Sequence, residues 1–398
     1  MATLTPDFPL TDDTRARVSF EPGMPRPLAR VSPRKRKKKE RRHAATKVAF
    51  PRYGYYDIAF RFFTEQVLNA DFVALPEPTK RTLERGSLNS SDFVCAPFKH
   101  ILGDYIDALE LGADVLVQFS GPCRLGYYGE LQESILRDAG YDFDMLNFAA
   151  VSGKPLKDYI SQCKRIVNPD LSVSQGVKKF VTLLKMVECL DSYNDVFLAR
   201  AGLEADTGSF KKARESYFAE MRGIETLPQL NRVHGAHLAA LKDLALKPGS
   251  EKAVRVGIIG DYFTAVDPFS NLFIENKFID LGVSLARLLN LTSRNLRYNE
   301  PNLRRGVSEY VSYDMGPTST LNIAAAKRYA EEGFDGLVHL KSTGCTPEID
   351  VMPVLQRISR DYHIPVLYLS FDSQTSDAGL DTRLEAFYDM ISMRKAHS

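Results

Sequence analysis

No apolar run in the 398-residue chain approaches the roughly 18 residues that a membrane-spanning helix requires. The first 25 residues hold prolines and acids where a secretory signal would place a charged start and an apolar core. Both absences give the expectation of a soluble, cytoplasmic protein with no membrane attachment. Cysteine is scarce, five residues without even or regular spacing, which argues against a disulfide framework and for a reducing compartment. There is no Walker A loop, no G-x-G-x-x-G after a strand, no G-x-S-x-G and no H-E-x-x-H. GIIGDY (257–262) is only a fragment of a dinucleotide fingerprint, so neither ATP nor NAD binding is inferred. No repeat of short fixed period is visible, which excludes a solenoid.

What remains is an ordinary globular composition, 44% apolar and 26% charged, long enough for two or three domains. The net charge of +2 hides one asymmetry: residues 34–42 (RKRKKKERR) carry eight Lys or Arg against Glu40, so the rest of the chain is net acidic. A run of this kind cannot bury apolar surface, and residues 1–45 are expected to form a disordered basic tail. The competing reading of the tail is an arm that docks an anionic partner. It has no interleaved aromatics on which bases would stack, so a nucleic-acid partner is not expected.

From Thr46 the pattern is that of a folded α/β domain, expected over 46–152. KVAFPRYGYYDIAFRFFTEQVL reads as strand, aromatic loop and helix. DFVAL (71–75), DFVCAP (92–97), DVLVQF (114–119) and FDMLNF read as short strands, with helical HILGDYIDALELG and YYGELQESILRDAG among them. Residues 153–250 carry helical periodicity without a convincing strand and are expected to form a helical linker domain. A second α/β domain is expected over 251–398: strand AVRVGIIGDY, helix IDLGVSLARLL, helix TSTLNIAAAKRYAEEG, strand DGLVHLKS, helix VMPVLQRISRDY, strand PVLYLSFD and helix LDTRLEAFYDMISMRK. The expected fold is therefore α/β, two Rossmann-like (flavodoxin-like) parallel-sheet domains with a helical insert between them.

Cys95, Cys123 and Cys345 each fall at the carboxyl end of an expected strand, the edge where open α/β sheets bind ligands. Thiolates favour zinc or iron-sulfur clusters, and Pro97, Gly121, Pro122 and Gly344 permit tight loops that aim backbone amides at an anionic group. Structural zinc usually brings paired ligands on one knuckle, whereas these cysteines are single, so an iron-sulfur group fits better and zinc stays as the alternative. Cys163 and Cys189 lie within helical patterns and read as buried structural residues. Lys99, His100, Arg124, Tyr127, Tyr128 and Glu130 flank the cysteines and are candidates for a pocket; Asp261, Asp267, Asp372 and Arg383 are better explained as local caps.

FPRYGYYDIAFRFF, SDFVCAPFKHILGDYIDALELGADVLV, GPCRLGYYGELQESIL and DSQTSDAGLDTRLEAFYDMI resemble the 2-hydroxyacyl-CoA dehydratase family, in particular its acyl-CoA dehydratase activase-related branch. The resemblance runs from about residue 48 to the C-terminus and is weakest in the helical middle. It implies two Rossmann-like domains, one oxygen-sensitive 4Fe-4S cluster on Cys95, Cys123 and Cys345, and an ATP-dependent activase as a separate electron donor. It names no substrate for this branch. Two roles stay open on the sequence: a redox component that passes the electron to a substrate or partner, and a non-catalytic scaffold that docks a partner through the basic tail. The choice between homo- and heterodimer is open as well.

Overall fold

The computed structural model describes residues 45–120, 127–149, 155–373, 375 and 377–397; of the tail expected over 1–45, residues 1–44 lie outside them. Two sheets organise the chain. The first comprises β1 (Lys47–Ala49), β2 (Asp71–Phe72), β3 (Val115–Ser120) and β4 (Asp144–Ala149), ordered β2-β1-β3-β4 and parallel throughout. The second comprises β5 (Arg255–Gly260), β6 (Ser284–Arg287), β7 (Gly336–Ser342) and β8 (Val366–Phe371), ordered β6-β5-β7-β8 and again parallel. The chain takes the same path in both: first strand, one step to the outside, then back across to the other side. Each sheet therefore has a switch point between its first and third strands, and the crevice at the carboxyl ends of those strands is where such sheets hold ligands.

Central strands of a parallel sheet are covered on both faces and so read as continuous apolar runs. Val115, Leu116 and Val117 in β3, and Val256, Ile258 and Ile259 in β5, are all fully buried. The covering helices of the first sheet are α1 (Asp57–Phe62), continued by a π-helical turn over Phe63–Val67, then α2 (Lys80–Leu88), α3 (Ala96–Glu110) and α4 (Tyr128–Asp138). Between the sheets lie α5 (Leu156–Ile166), α6 (Val173–Arg200), α7 (Ser209–Met221) and α8 (Leu227–Asp243). The second sheet is covered by α9 (Tyr262–Val266), α10 (Ile274–Asp280), α11 (Glu300–Gly306), α12 (Pro317–Glu331), α13 (Thr346–Asp361) and α14 (Asp377–Ala396).

The middle helices are packed into the molecule. One continuous core joins Tyr56, Ile58 and Phe62 of the first domain to Met186, Leu190, Tyr193 and Phe197 of α6 and to Val256 and Leu285 of the second domain. An apolar face on α6 thus welds the two sheets together, the usual source of stability for a helix whose own propensity is modest.

Two local readings of the sequence are corrected, and one helix is added to them. DFVCAP (92–97) forms no strand: Cys95 is the N-cap of α3, with an extended backbone (φ −65°, ψ 154°), and Pro97 sits in the first turn. Proline is at home there because its missing N–H would have no intrahelical partner. Within IDLGVSLARLL the expected helix is a helix end followed by a strand. α10 stops at Asp280, Gly282 takes a left-handed φ of +77°, and Ser284–Arg287 pairs with β5 as β6, burying Leu285 and Arg287 on one face. Helix α2 was not read from the sequence at all. It crosses α3 with no room between the backbones: a Cβ on Gly86 would lie 1.8 Å from the Lys99 carbonyl oxygen, and one on Gly103 would lie 2.1 Å from that of Thr82.

Candidate functional site

In a parallel sheet every crossover helix runs back against the strands, so its N-terminus stands at the carboxyl edge. That rule places two of the three cysteines. Cys345 follows β7 and is the N-cap of α13, with Pro347 in the first turn; Cys95 is the N-cap of α3, with Pro97 in the equivalent place. Cys95 thus reaches the carboxyl edge through a helix start and not through the strand end expected from the sequence. The two loops meet across the domains: a Cβ on Gly344, which has φ +81°, would lie 3.9 Å from the carbonyl oxygen of Phe93. Cys123 and Arg124 fall outside the described residues, between Ser120 at the end of β3 and Tyr128 at the start of α4. The Tyr128 hydroxyl meets the Cys95 sulfur, and its ring stands edge-on to Phe98 in the first turn of α3, centroids 5.1 Å apart at 89°.

Opposing influences act on these thiols. A helix N-terminus favours a thiolate through its exposed amides and dipole. Burial, followed by the nearby Asp261 and Glu348 carboxylates, pushes the Cys345 thiol far above its ordinary value, and Cys95 adds to the same effect. Negative charge on Cys345 is thus disfavoured as the chain stands.

Beneath Cys345 lies a polar assembly that the sequence did not reveal. His339 on β7 and Glu348 on α13 are fully buried, with Nε2 2.7 Å from Oε2. Asn322 on α12 donates to both Glu348 oxygens at 2.9 and 3.0 Å and pairs with the backbone of Gly260, accepting from its N–H at 3.0 Å and donating to its carbonyl at 2.8 Å. Burial raises the Glu348 carboxyl above its usual range, with the His339 contact pulling the other way. Asp261 caps α9 by accepting from Thr264 N at 2.8 Å and also accepts from Ser342 N at 2.5 Å, tying the end of β5 to the end of β7. The available signal was a histidine inside an apolar strand, nine positions ahead of an acid in the first turn of the next helix.

The flanking candidates scatter. Lys99 is buried and its Nζ turns back to the Asp92 carbonyl at 3.3 Å, bracing the turn before Cys95. His100 is buried against Phe263 and Phe269 of the second domain, centroids 5.8 and 5.7 Å away, and burial lowers it to about 4, so it packs as a neutral ring. Tyr127 and Glu130 are exposed. Asp267 and Asp372 make local turns with Ser270 and Thr375, and Arg383 donates to the Tyr368 carbonyl at 2.7 Å. Cys163 and Cys189 are buried in α5 and α6, where burial raises each thiol to about 11.

A second feature missed from the sequence fixes how the domains face each other. Asp191 of α6, 2% exposed, accepts from Tyr55 Oη at 2.8 Å and Tyr56 Oη at 2.5 Å on the first domain, and from Thr292 N at 2.9 Å and Thr292 Oγ1 at 2.6 Å on the second. Tyr56 Oη in turn accepts from Leu291 N at 2.9 Å. A surface groove of about 420 Å³ lies between α6 and the start of α8, lined by Lys178, Val181, Thr182 and Leu227.

Residues 313–391 match the family of the 2-hydroxyglutaryl-CoA dehydratase D-component. The matched stretch holds α12, β7, Cys345, α13, β8 and most of α14, which is the half of the site carrying the His339–Glu348 assembly. It supports the 2-hydroxyacyl-CoA dehydratase family to which the sequence motifs point. No curated protein matches the chain. Among the described residues no three His, Cys, Asp or Glu side chains are grouped to hold a metal ion, and no helix is long and apolar enough to cross a membrane.

Cys95 and Cys345, the two described members of the expected ligand set, are of the donor type that an iron-sulfur group takes. Each caps a helix and is followed two positions later by a proline, whose missing N–H would have had no intrahelical partner. Cys123, the third, lies outside the described residues.

Proposed function

We propose that the protein is an iron-sulfur redox component of the 2-hydroxyacyl-CoA dehydratase type, holding one 4Fe-4S cluster on Cys95, Cys123 and Cys345 and taking its electron from an ATP-dependent activase supplied by a separate chain. The observation that carries this reading is the approach of the two loops that bear helix-capping Cys95 and Cys345, Gly344 coming up to the Phe93 carbonyl, with the dehydratase-component match spanning Cys345.

When bound, such a cluster supplies a single low-potential electron, and three cysteine ligands leave one iron for a substrate or partner atom. The chain's own residues do the rest. The N-terminal amides of α3 and α13 offset the negative charge of the thiolates. Asp261, Asn322 and the His339–Glu348 pair hold the β5 and β7 ends, and hence Cys345, in place. Asp191 fixes the facing of the domains and therefore the distance between Cys95 and Cys345. Cys95 is buried and Cys345 half-buried, which limits access by water and oxygen.

Anaerobic purification followed by iron and acid-labile sulfide analysis, and EPR of the dithionite-reduced protein, tests the reading. About four irons and four sulfides per chain are expected. Colourless, iron-free protein, or protein that binds zinc alone, overturns it. Cys345→Ser and Cys123→Ser should lose the cluster while Cys163→Ser keeps it, and equal behaviour of these variants refutes the ligand assignment.

A further inference from the structure

We propose that the Tyr128 hydroxyl donates a hydrogen bond to the Cys95 sulfur and raises the reduction potential of the group that this sulfur binds; this rests on the iron-sulfur reading above. The contact joins Tyr128, the first residue of α4, to the residue that caps α3.

Three contacts fix the hydroxyl where it is. The Tyr128 ring lies edge-on to Phe98, itself fully buried in the first turn of α3. One turn further along α4, Gln132 is fully buried and donates to the Phe98 carbonyl at 3.2 Å. Between them, Gly129 packs so tightly on the Asn147 side chain that a Cβ would lie 2.5 Å from its amide nitrogen, which leaves α4 no freedom to slide. The start of α4 is thus clamped to the start of α3, and the phenol is carried to the sulfur by rigid elements.

Of the two proposed ligands among the described residues, Cys345 has the carboxylates of Asp261 and Glu348 among its charged neighbours, and Cys95 has the Tyr128 hydroxyl as a donor. An electron added to a cluster spreads negative charge onto its thiolate sulfurs. A donor on one of those sulfurs therefore strengthens more in the reduced than in the oxidised state, and the potential rises. No bond forms or breaks at Tyr128, and no proton is transferred. Tyr128 is a positioning residue that acts through Cys95.

The test compares anaerobically purified wild type, Tyr128→Phe and Tyr141→Phe, the last removing a phenol beyond the far end of α4. Phenylalanine at 128 keeps every carbon contact with Phe98. Iron and sulfide content, thermal melting and a spectroelectrochemical titration with a mediated reductant are read for each. Tyr128→Phe should hold the cluster with unchanged melting and a more negative midpoint. Loss of up to a tenfold preference for the reduced state corresponds to ~59 mV for one electron. Tyr141→Phe should titrate like wild type. A Tyr128→Phe midpoint equal to wild type, or an equal shift in Tyr141→Phe, overturns the inference and leaves the proposed function standing. Wild-type protein without a cluster overturns both.

Discussion

Replacing Asp191 by alanine removes one acceptor that serves four donors from two domains. Asp191 is 2% exposed and receives Tyr55 Oη, Tyr56 Oη, Thr292 N and Thr292 Oγ1. A hydrogen bond to a charged acceptor is worth about 1.5–3 kcal/mol, and a buried donor left without a partner costs about 1–3 kcal/mol. The four are not additive, because Tyr55 and Tyr56 lie within 3.5 Å and can turn to each other, and a water can fill the space of the lost carboxylate. A loss of about 3–5 kcal/mol is expected, a large share of the roughly 5–15 kcal/mol that a folded domain has. For a chain of this length each kcal/mol moves the melting temperature by only about 1–2 °C, so a fall of ~3–10 °C is anticipated by calorimetry. Hydrogen exchange supplies the specific signature: the Leu291 and Thr292 amides should lose protection, while those in the middle of β5 and β7 keep theirs. Asp191→Asn, which retains one acceptor oxygen, should lie between wild type and alanine. A melting temperature within about 1 °C of wild type for Asp191→Ala would refute the assignment of Asp191 as the tie between domains.

The contact between His100 and the second domain should show two opposite pH dependences. His100 is lowered by burial from 6.5 to about 4, so the unfolded state binds its proton first. Stability from this group is present above pH 6.5 and is lost as pH falls towards 4, by roughly 3 kcal/mol. Asp267 is raised by burial from 3.8 to about 6, so its contribution is present below 3.8 and is lost as pH rises through 6, again by roughly 3 kcal/mol. The two nearly offset in wild type. Urea unfolding between pH 4 and 6.5 should therefore show stability falling with pH in His100→Phe and rising with pH in Asp267→Asn; parallel curves for both would show the ring and the carboxyl to be solvated. Gly103→Ala puts a methyl into the Thr82 carbonyl and should cost at least about 2 kcal/mol, with weaker iron retention because α3 carries Cys95. Gly112→Ala, at a left-handed turn with open space around it, should cost only about 1 kcal/mol of backbone strain and leave iron content unchanged.

Periodicity alone determined that the chain is α/β with two sets of buried parallel strands and helices between them, because a strand covered on both faces and an amphipathic helix each write their own spacing into the sequence. It also separated Cys163 and Cys189, embedded in helical patterns, from Cys95 and Cys345, next to glycine and proline. Where two conformations share a composition, short-range pattern failed. DFVCAP is apolar enough for a strand but is the start of a helix, since Pro97 fits the first turn and α2 pins α3 at Gly86 and Gly103. SLAR reads as helix but becomes β6 because β5 offers it an edge. Only the tertiary structure decided the rest: the shared strand order of the two sheets, the meeting of Gly344 with Phe93 that brings Cys345 towards Cys95, the Asp191 tie and the buried His339–Glu348 pair. The reason is physical. A buried polar side chain is tolerable only beside its partner, and those partners come from segments distant in the chain, so their pairing leaves no local trace.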